Sequence, residues 1–198
     1  MANVNDFKIV ALKSKKIFEY TFPEKAGSFS DIAKERFGFY HLILENFTRP
    51  HEDSQASCTI IDTDYCKKMH NVDTDDLGID AVYLSYDPED SESEPSETIE
   101  IKLFNFKYRE TFKPGSGSGD SELSRSMKFL EFISQGTLLD TSINELVHKT
   151  INKIIKLLES KTLCNFTLYV VSNEGGGFPE QSSEYIKALR RNYELEIV

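Results

Sequence analysis

The chain has 198 residues, 39% of them hydrophobic and 12% aromatic, enough for one α/β domain with its own core, and it lacks any apolar run near the roughly 18 residues that span a bilayer. Its formal net charge of −10 counts against a nucleic-acid enzyme, but the charge is uneven: residues 1–101 hold 10 basic and 21 acidic side chains, residues 102–198 hold 13 and 12. Cys58, Cys66 and Cys164 form no Cys-x-x-Cys, and His41, His51, His70 and His148 are scattered, which argues against a zinc site or a disulfide framework and points to free thiols in a reducing compartment.

The N-terminus, Met-Ala-Asn-Val-Asn-Asp, has neither the basic nor the apolar region of a secretion signal, so the expected location is the cytoplasm. Asn3 to Tyr20 mixes apolar and Lys-rich positions and reads equally as helix or strand. Ser30 to Phe47 is helical, with Ser28 or Ser30 as N-cap and Ile32, Phe39, Leu42 and Ile43 returning on one face; Thr48-Arg49-Pro50 ends it. Ala56 to Thr63 is a short β-like stretch and Ile79 to Tyr86 a better one. The acidic segment Asp87 to Ser96 then turns the chain into a strand from Glu97 to Arg109, giving a hairpin. Between Asp73 and Glu97 stand ten acidic residues and no basic one, a run that normally marks a solvated tip.

Pro114 to Gly119 alternates Gly and Ser as a flexible joint. Helices are expected over Ser121 to Ser134 and Asp140 to Ser160, the second with Ile143, Leu146, Val147, Ile151, Ile154, Ile155 and Leu158 at three-and-four spacing. A strand from Phe166 to Ser172, a turn over Asn173 to Gly177, a helix from Pro179 to Arg191 and a last strand from Leu195 to Val198 complete an α/β mixed sheet flanked by helices. Residues 1–198 are expected to form a single domain, the N-terminal fragment of a longer protein.

The chemistry centres on the hairpin. In a strand, Ile99, Ile101 and Leu103 face the core while Glu100 and Lys102 share the other face, and the preceding strand can bring Asp80 alongside. Phosphodiester cleavage needs a cation such as Mg²⁺ or Mn²⁺, held by one or two carboxylates, and a group that orients or deprotonates water. Asp80 and Glu100 suit the first role, with the carbonyl of Ile101 as a further ligand, and Lys102 the second. On the upstream helix Glu35 falls between Ile32, Phe39 and Leu42, either as an additional ligand or as a half-buried carboxylate favoured by the helix dipole.

Leu77-Gly-Ile-Asp-Ala-Val-Tyr-Leu84 followed by Ile99-Glu-Ile-Lys102 resembles the core of the abortive-infection phage-resistance (AIPR) proteins, within the PD-(D/E)-x-K superfamily. Phe166 to Asn173, after the helix ending at Ser160, is similar to the unit that follows in those proteins. The resemblance implies a restriction-endonuclease-like fold, a metal-dependent nuclease acting on DNA with RNA as the other candidate, an antiviral role, a homodimer by analogy, and a C-terminal region beyond this one. It departs at Asp75-Asp76-Leu77, where the pattern has a Gly-rich turn, and in the acidic insertion. On that reading Lys102, Lys107, Arg109, Lys113, Arg125 and Lys128 are candidate phosphate contacts. The competing class is a non-catalytic interaction module in which Glu100 and Lys102 form a structural ion pair. A nucleotide-binding domain has little support, since Asn173 to Gly177 lacks phosphate-loop spacing.

Overall fold

The computed structural model describes residues 3–48, 56–73, 75–89, 98–113, 120–136, 143, 145–160, 162–174, 186–187, 190–191 and 196–198. The chain divides into two compact units, one made of Met1–Arg49, Phe106–Ser118 and Val171–Glu180, the other of Pro50–Asn105, Gly119–Val170 and Gln181–Val198.

In the first unit the undecided N-terminal stretch is a helix, α1 (Val4–Thr21), started by a capping box in which the Asn3 side chain accepts from the Asp6 N–H and the Asp6 carboxylate accepts from the Asn3 N–H. The second helix, α2 (Asp31–Phe47), is capped by Ser30, whose hydroxyl accepts from Ala33 at 3.3 Å. Its buried face matches the expected one at Phe39, leaves Leu42 and Ile43 half-buried, and departs from it at Ile32. Phe37, Gly38, Phe39, Tyr40 and Leu44 are buried, whereas Ile32 is 48% exposed. The reason lies at Gly38: a Cβ there would sit 1.8 Å from the Ser14 carbonyl oxygen, so the missing side chain lets α1 and α2 touch backbone to backbone and turns the Phe37 side of α2 inward. Phe18, fully buried, gathers the rings of Phe22, Phe29 and Phe37 around the contact.

The same unit holds residues 106–113. Phe106 stacks on Tyr40 with ring centroids 4.5 Å apart, and Tyr108 packs on Phe39. Asn173 clamps Arg109 through both backbone groups, accepting from its N–H and donating to its carbonyl at 2.8 Å each, while the buried Glu174 accepts from the Lys113 N–H.

The second unit supplies most of a five-stranded sheet in the order β1 (Ser57–Ile60), β2 (Ala81–Leu84), β3 (Thr98–Lys107), β4 (Leu163–Ser172), β5 (Glu196–Ile197). β1, β2 and β3 pair antiparallel and β4 with β5 parallel, so the sheet is mixed. Ile99, Ile101 and Leu103 are fully buried, while Thr98 and Glu100 are exposed, as period-two alternation requires. Helices α4 (Asp120–Gln135) and α5 (Glu145–Glu159) separate β3 from β4; α5 buries Val147, Ile151, Ile154 and Leu157. The whole is a mixed α/β fold whose sheet is flanked by helices.

An eight-residue helix, α3 (Thr63–His70), between β1 and β2 has no counterpart in the sequence reading; Asp62 caps it, accepting from Tyr65 at 2.6 Å. Of the helix expected over Pro179 to Arg191, residues 186, 187, 190 and 191 are described and are helical. The joint over Pro114 to Gly119, the acidic stretch 90–97 and residues 175–177 lie outside the described residues.

Candidate active site

The segment that delivers Asp80 is built from local hydrogen bonds. Asp76 Oδ2 accepts from both the N–H and the hydroxyl of Thr63, at 3.1 and 2.9 Å, tying the start of α3 to the turn before β2. That turn passes through Leu77 at φ 55° and Gly78 at φ 81°, closed by the Ile79 N–H on the Asp76 carbonyl. A buried leucine in the left-handed region is strained. The Asp75 and Asp76 carboxylates hold it there by accepting from the N–H groups of Leu77 and Gly78. Asn105, 2% exposed, donates from its amide to the Gly78 carbonyl and to Ser126 of α4.

Two β-bulges then aim Asp80. The N–H groups of Ile61 and Asp62 both donate to the Asp80 carbonyl, at 2.8 and 3.0 Å. The Asp80 N–H donates to the carbonyl of Phe104, the register partner of Ala81, at 2.7 Å. Two residues thus face one on each side of Asp80, which bends the strand and redirects its side chain. The result is a cluster: Asp62, Asp76 and Asp80 can each present a ligand atom within 4.8 Å of the others. Asp62 and Asp80 are buried. The field of the cluster is felt nearby, where the Cys66 thiol is pushed up to about 11 by burial and, after that, by the Asp62 and Asp76 carboxylates.

Glu100 and Lys102 lie elsewhere on the hairpin. Their side chains form an ion pair at 3.1 Å, and the Lys102 ammonium stands 5.3 Å from the centroid of Tyr83, its cross-strand partner. Glu100 faces Ser85, whose N–H donates to its carbonyl. Asp80 is anchored at Phe104, four residues further along β3. At the rise of a strand that is about 13 Å, too far for the Asp80 and Glu100 carboxylates to share one ion. The structure therefore brings Glu100 to Lys102 and Asp80 to Asp62 and Asp76, but not Asp80 to Glu100. Ile101 sits between them on an interior strand flanked by β2 and β4, where carbonyls serve the ladder.

Glu100 and Lys102 open onto a groove of about 690 Å³, shared with Asn165, Thr167 and Tyr169 of β4 and Glu196 of β5. Its volume is that of a ligand site.

Glu35, in the first unit, is half-buried and accepts a 2.8 Å hydrogen bond from the Tyr108 hydroxyl. The phenol of Tyr108 is held well above its ordinary range by burial first and then by Glu35. Of the other candidate phosphate contacts, Arg109, Lys113, Arg125 and Lys128 are exposed and Lys107 is half-buried. Arg109 leans on Glu174 at 3.6 Å.

Asp62 and Asp76 are the residues the sequence reading missed. Their signal was present, Asp76 inside the acidic run and Asp62 before a threonine as an N-cap, but neither carries strand periodicity. No family model matches the chain, and neither a curated protein nor a solved structure matches it.

Proposed function

We propose that the chain is a metal-dependent phosphodiester hydrolase acting on DNA, with the carboxylates around Asp80 as its metal centre and the Glu100–Lys102 groove as the place where the strand is held. The observation that carries this reading is the convergence of Asp62, Asp76 and Asp80 within 4.8 Å. Oxygen ligands at that separation suit a hard cation, Mg²⁺ or Mn²⁺, which takes one or two carboxylates and fills its remaining positions with water and phosphate oxygens. Asp76 has the capacity: Thr63 and Gly78 engage three of the roughly four lone-pair sites of a carboxylate, two on Oδ2 and one on Oδ1. Such an ion, when bound, neutralises a scissile phosphate and makes its water a stronger nucleophile.

The protein's own contribution is to hold these groups still. The two bulges and the Leu77-Gly78 turn position Asp80, and α3 is fastened to the site by both Asp62 and Asp76. Lys102, steadied by Glu100 and by the face of Tyr83, offers an ammonium to a phosphate lying in the groove. The order helix, three antiparallel strands, helices, then β4 beside β3 supports a restriction-endonuclease-like core. The likeness of residues 77–84 and 99–102 to the phage-resistance nucleases adds an antiviral role in the cytoplasm, and a homodimer where both strands are cut.

A second reading, a non-catalytic interaction module, is favoured by one specific observation. Asp62 and Asp76 already serve α3 as caps, and Glu100 already pairs with Lys102, so every one of these groups also has a structural task. The discriminating experiment is cleavage of supercoiled plasmid at low salt with Mg²⁺ or Mn²⁺, comparing wild type with Asp80→Ala and Lys102→Ala. Nicking that needs the metal and is lost in Asp80→Ala establishes the hydrolase. A folded wild type that never cuts leaves the interaction module.

A further inference from the structure

Helix α1 is used on one side only. Phe7, Ser14 and Phe18 are buried, and the close approach at Gly38 commits that side to α2. The outer side of such a helix is ordinarily polar. Here Ile9, Leu12 and Tyr20 are 49%, 60% and 89% exposed, and with Val4 they make four of the nine exposed large apolar side chains among the described residues.

At about 100° per residue, Leu12, Lys16, Ile9 and Tyr20 follow one another within about 80° of the helix surface, with Lys8 on one flank and Lys13 on the other. All three lysines are exposed and have no ion pair among the described residues. The two acids of the helix stand at the edges of this face and are engaged. Asp6 accepts from the Asn3 N–H in the capping box, and Glu19 turns to Lys34 at 3.3 Å. Lys15, beyond the Lys8 flank, is taken by Asp31. The bias extends past the helix: the unit that carries α1 holds 11 basic and 9 acidic side chains, the other unit 12 and 24.

We propose that the Ile9–Leu12–Tyr20 face of α1 docks on an anionic lipid surface. The unpaired ammoniums select an anionic occupant, and the aliphatic side chains set between them select among anions. A phosphodiester backbone offers Ile9 and Leu12 nothing apolar. A bilayer takes aliphatic groups below its headgroups, a tyrosine at the interface, and lysines that reach up to the phosphates from either side. From Lys8 to Tyr20 the face runs about 18 Å, and α2 holds the helix along its other side, so it can lie flat on one leaflet. The contact is adsorption, since no helix among the described residues is long and apolar enough to cross a membrane.

The test is flotation of the protein in EDTA with vesicles of phosphatidylcholine, either pure or with about one-third phosphatidylserine. Binding is expected to be at least about tenfold tighter to the anionic vesicles. Lys13→Ala with Lys16→Ala should weaken it by about tenfold or more, and Ile9→Gln with Leu12→Gln by about tenfold. All four positions are exposed, and urea unfolding checks that the variants keep their fold. No flotation of wild type overturns the proposal, as does equal binding to the two kinds of vesicle. Binding that survives Ile9→Gln with Leu12→Gln overturns it as well. A labelled poly-dT oligonucleotide bound through Lys13 and Lys16, with no binding to vesicles, would assign the face to nucleic acid and overturn the lipid surface.

Discussion

The Asp80 N–H donates to the Phe104 carbonyl at 2.7 Å, and this one bond decides which acids Asp80 can work with. It anchors Asp80 at the end of β2 remote from Glu100, beside the Asp62 and Asp76 carboxylates.

The first prediction follows from that placement. Asp80→Asn is expected to weaken Mn²⁺ binding by at least about tenfold, the scale on which losing a carboxylate ligand or its orienting partner acts. Glu100→Gln should leave it unchanged within error. Titration calorimetry of the folded variants with Mn²⁺ measures both. Equal losses in the two would mean that the hairpin rearranges to bring Glu100 to Asp80, and no binding by wild type would remove the metal centre altogether.

Gly38 and Ser14 make the second. A Cβ at Gly38 meets backbone, not a flexible side chain, 1.8 Å from the Ser14 carbonyl, so α1 must move. Gly38→Ala should therefore lose about 2 kcal/mol or more, even though alanine is favoured over glycine in a helix by about 1 kcal/mol. The neighbouring Ser14 hydroxyl is buried with no hydrogen-bond partner among the described residues, so Ser14→Ala should raise stability by about 1 kcal/mol. Urea unfolding of both variants reads the two signs. A stabilised Gly38→Ala would show that the close approach of α1 and α2 is absent in solution.

At Gly78 two penalties coincide. Its φ of 81° disfavours any Cβ, and that Cβ would lie 2.5 Å from the backbone of Arg125 on α4. Gly78→Ala is expected to cost about 2–4 kcal/mol. Gly27, with open space around it and no such φ, is the control: Gly27→Ala should be neutral or gain up to about 1 kcal/mol. Comparable losses at both positions would refute the conformational argument.

How far the sequence carried these conclusions depends on the range of the forces involved. Helix α5 was legible because Val147, Ile151 and Ile154 repeat the helical period over several turns. The alternation in β3 was equally plain and put Ile99 and Ile101 in the core. The hairpin register was not, because the acidic insertion leaves the turn position open, and a shift of a few residues decides whether Asp80 meets Glu100 or Asn105. The bulges at Asp62 and Asp80 are backbone events with no side-chain signature. Helix α3 is only eight residues long and relies on Asp76, thirteen residues from Thr63, for its start. Ile32 misled the reading of α2 because Gly38 rotates that helix through a contact with α1, which periodicity within one helix cannot reveal.

Acid should destabilise the protein in two separate steps. The His41 imidazole, packed edge-on to Phe22 with centroids 5.2 Å apart, is held below its ordinary 6.5 by burial. The unfolded chain therefore takes up that proton first, so stability falls as pH drops from about 6.5 toward the lower folded value. Asp87 acts later. Burial alone would raise its carboxyl, but the hydrogen bonds from Lys153, the Glu89 N–H and the Ser57 hydroxyl outweigh it and hold it below 3.8. Its contribution is full above that value and is lost as pH falls through the folded one. In urea unfolding across pH, His41→Phe should flatten the first step and leave the second. Asp87→Asn should flatten the second, at the cost of about 3 kcal/mol at neutral pH because the buried Lys153 keeps only the longer pairing with Glu89 at 3.8 Å. Restoring an apolar partner, with Asp87→Asn and Lys153→Met together, should recover most of that loss while keeping the acid limb flat. An acid limb that persists in the double variant would assign it to other carboxylates.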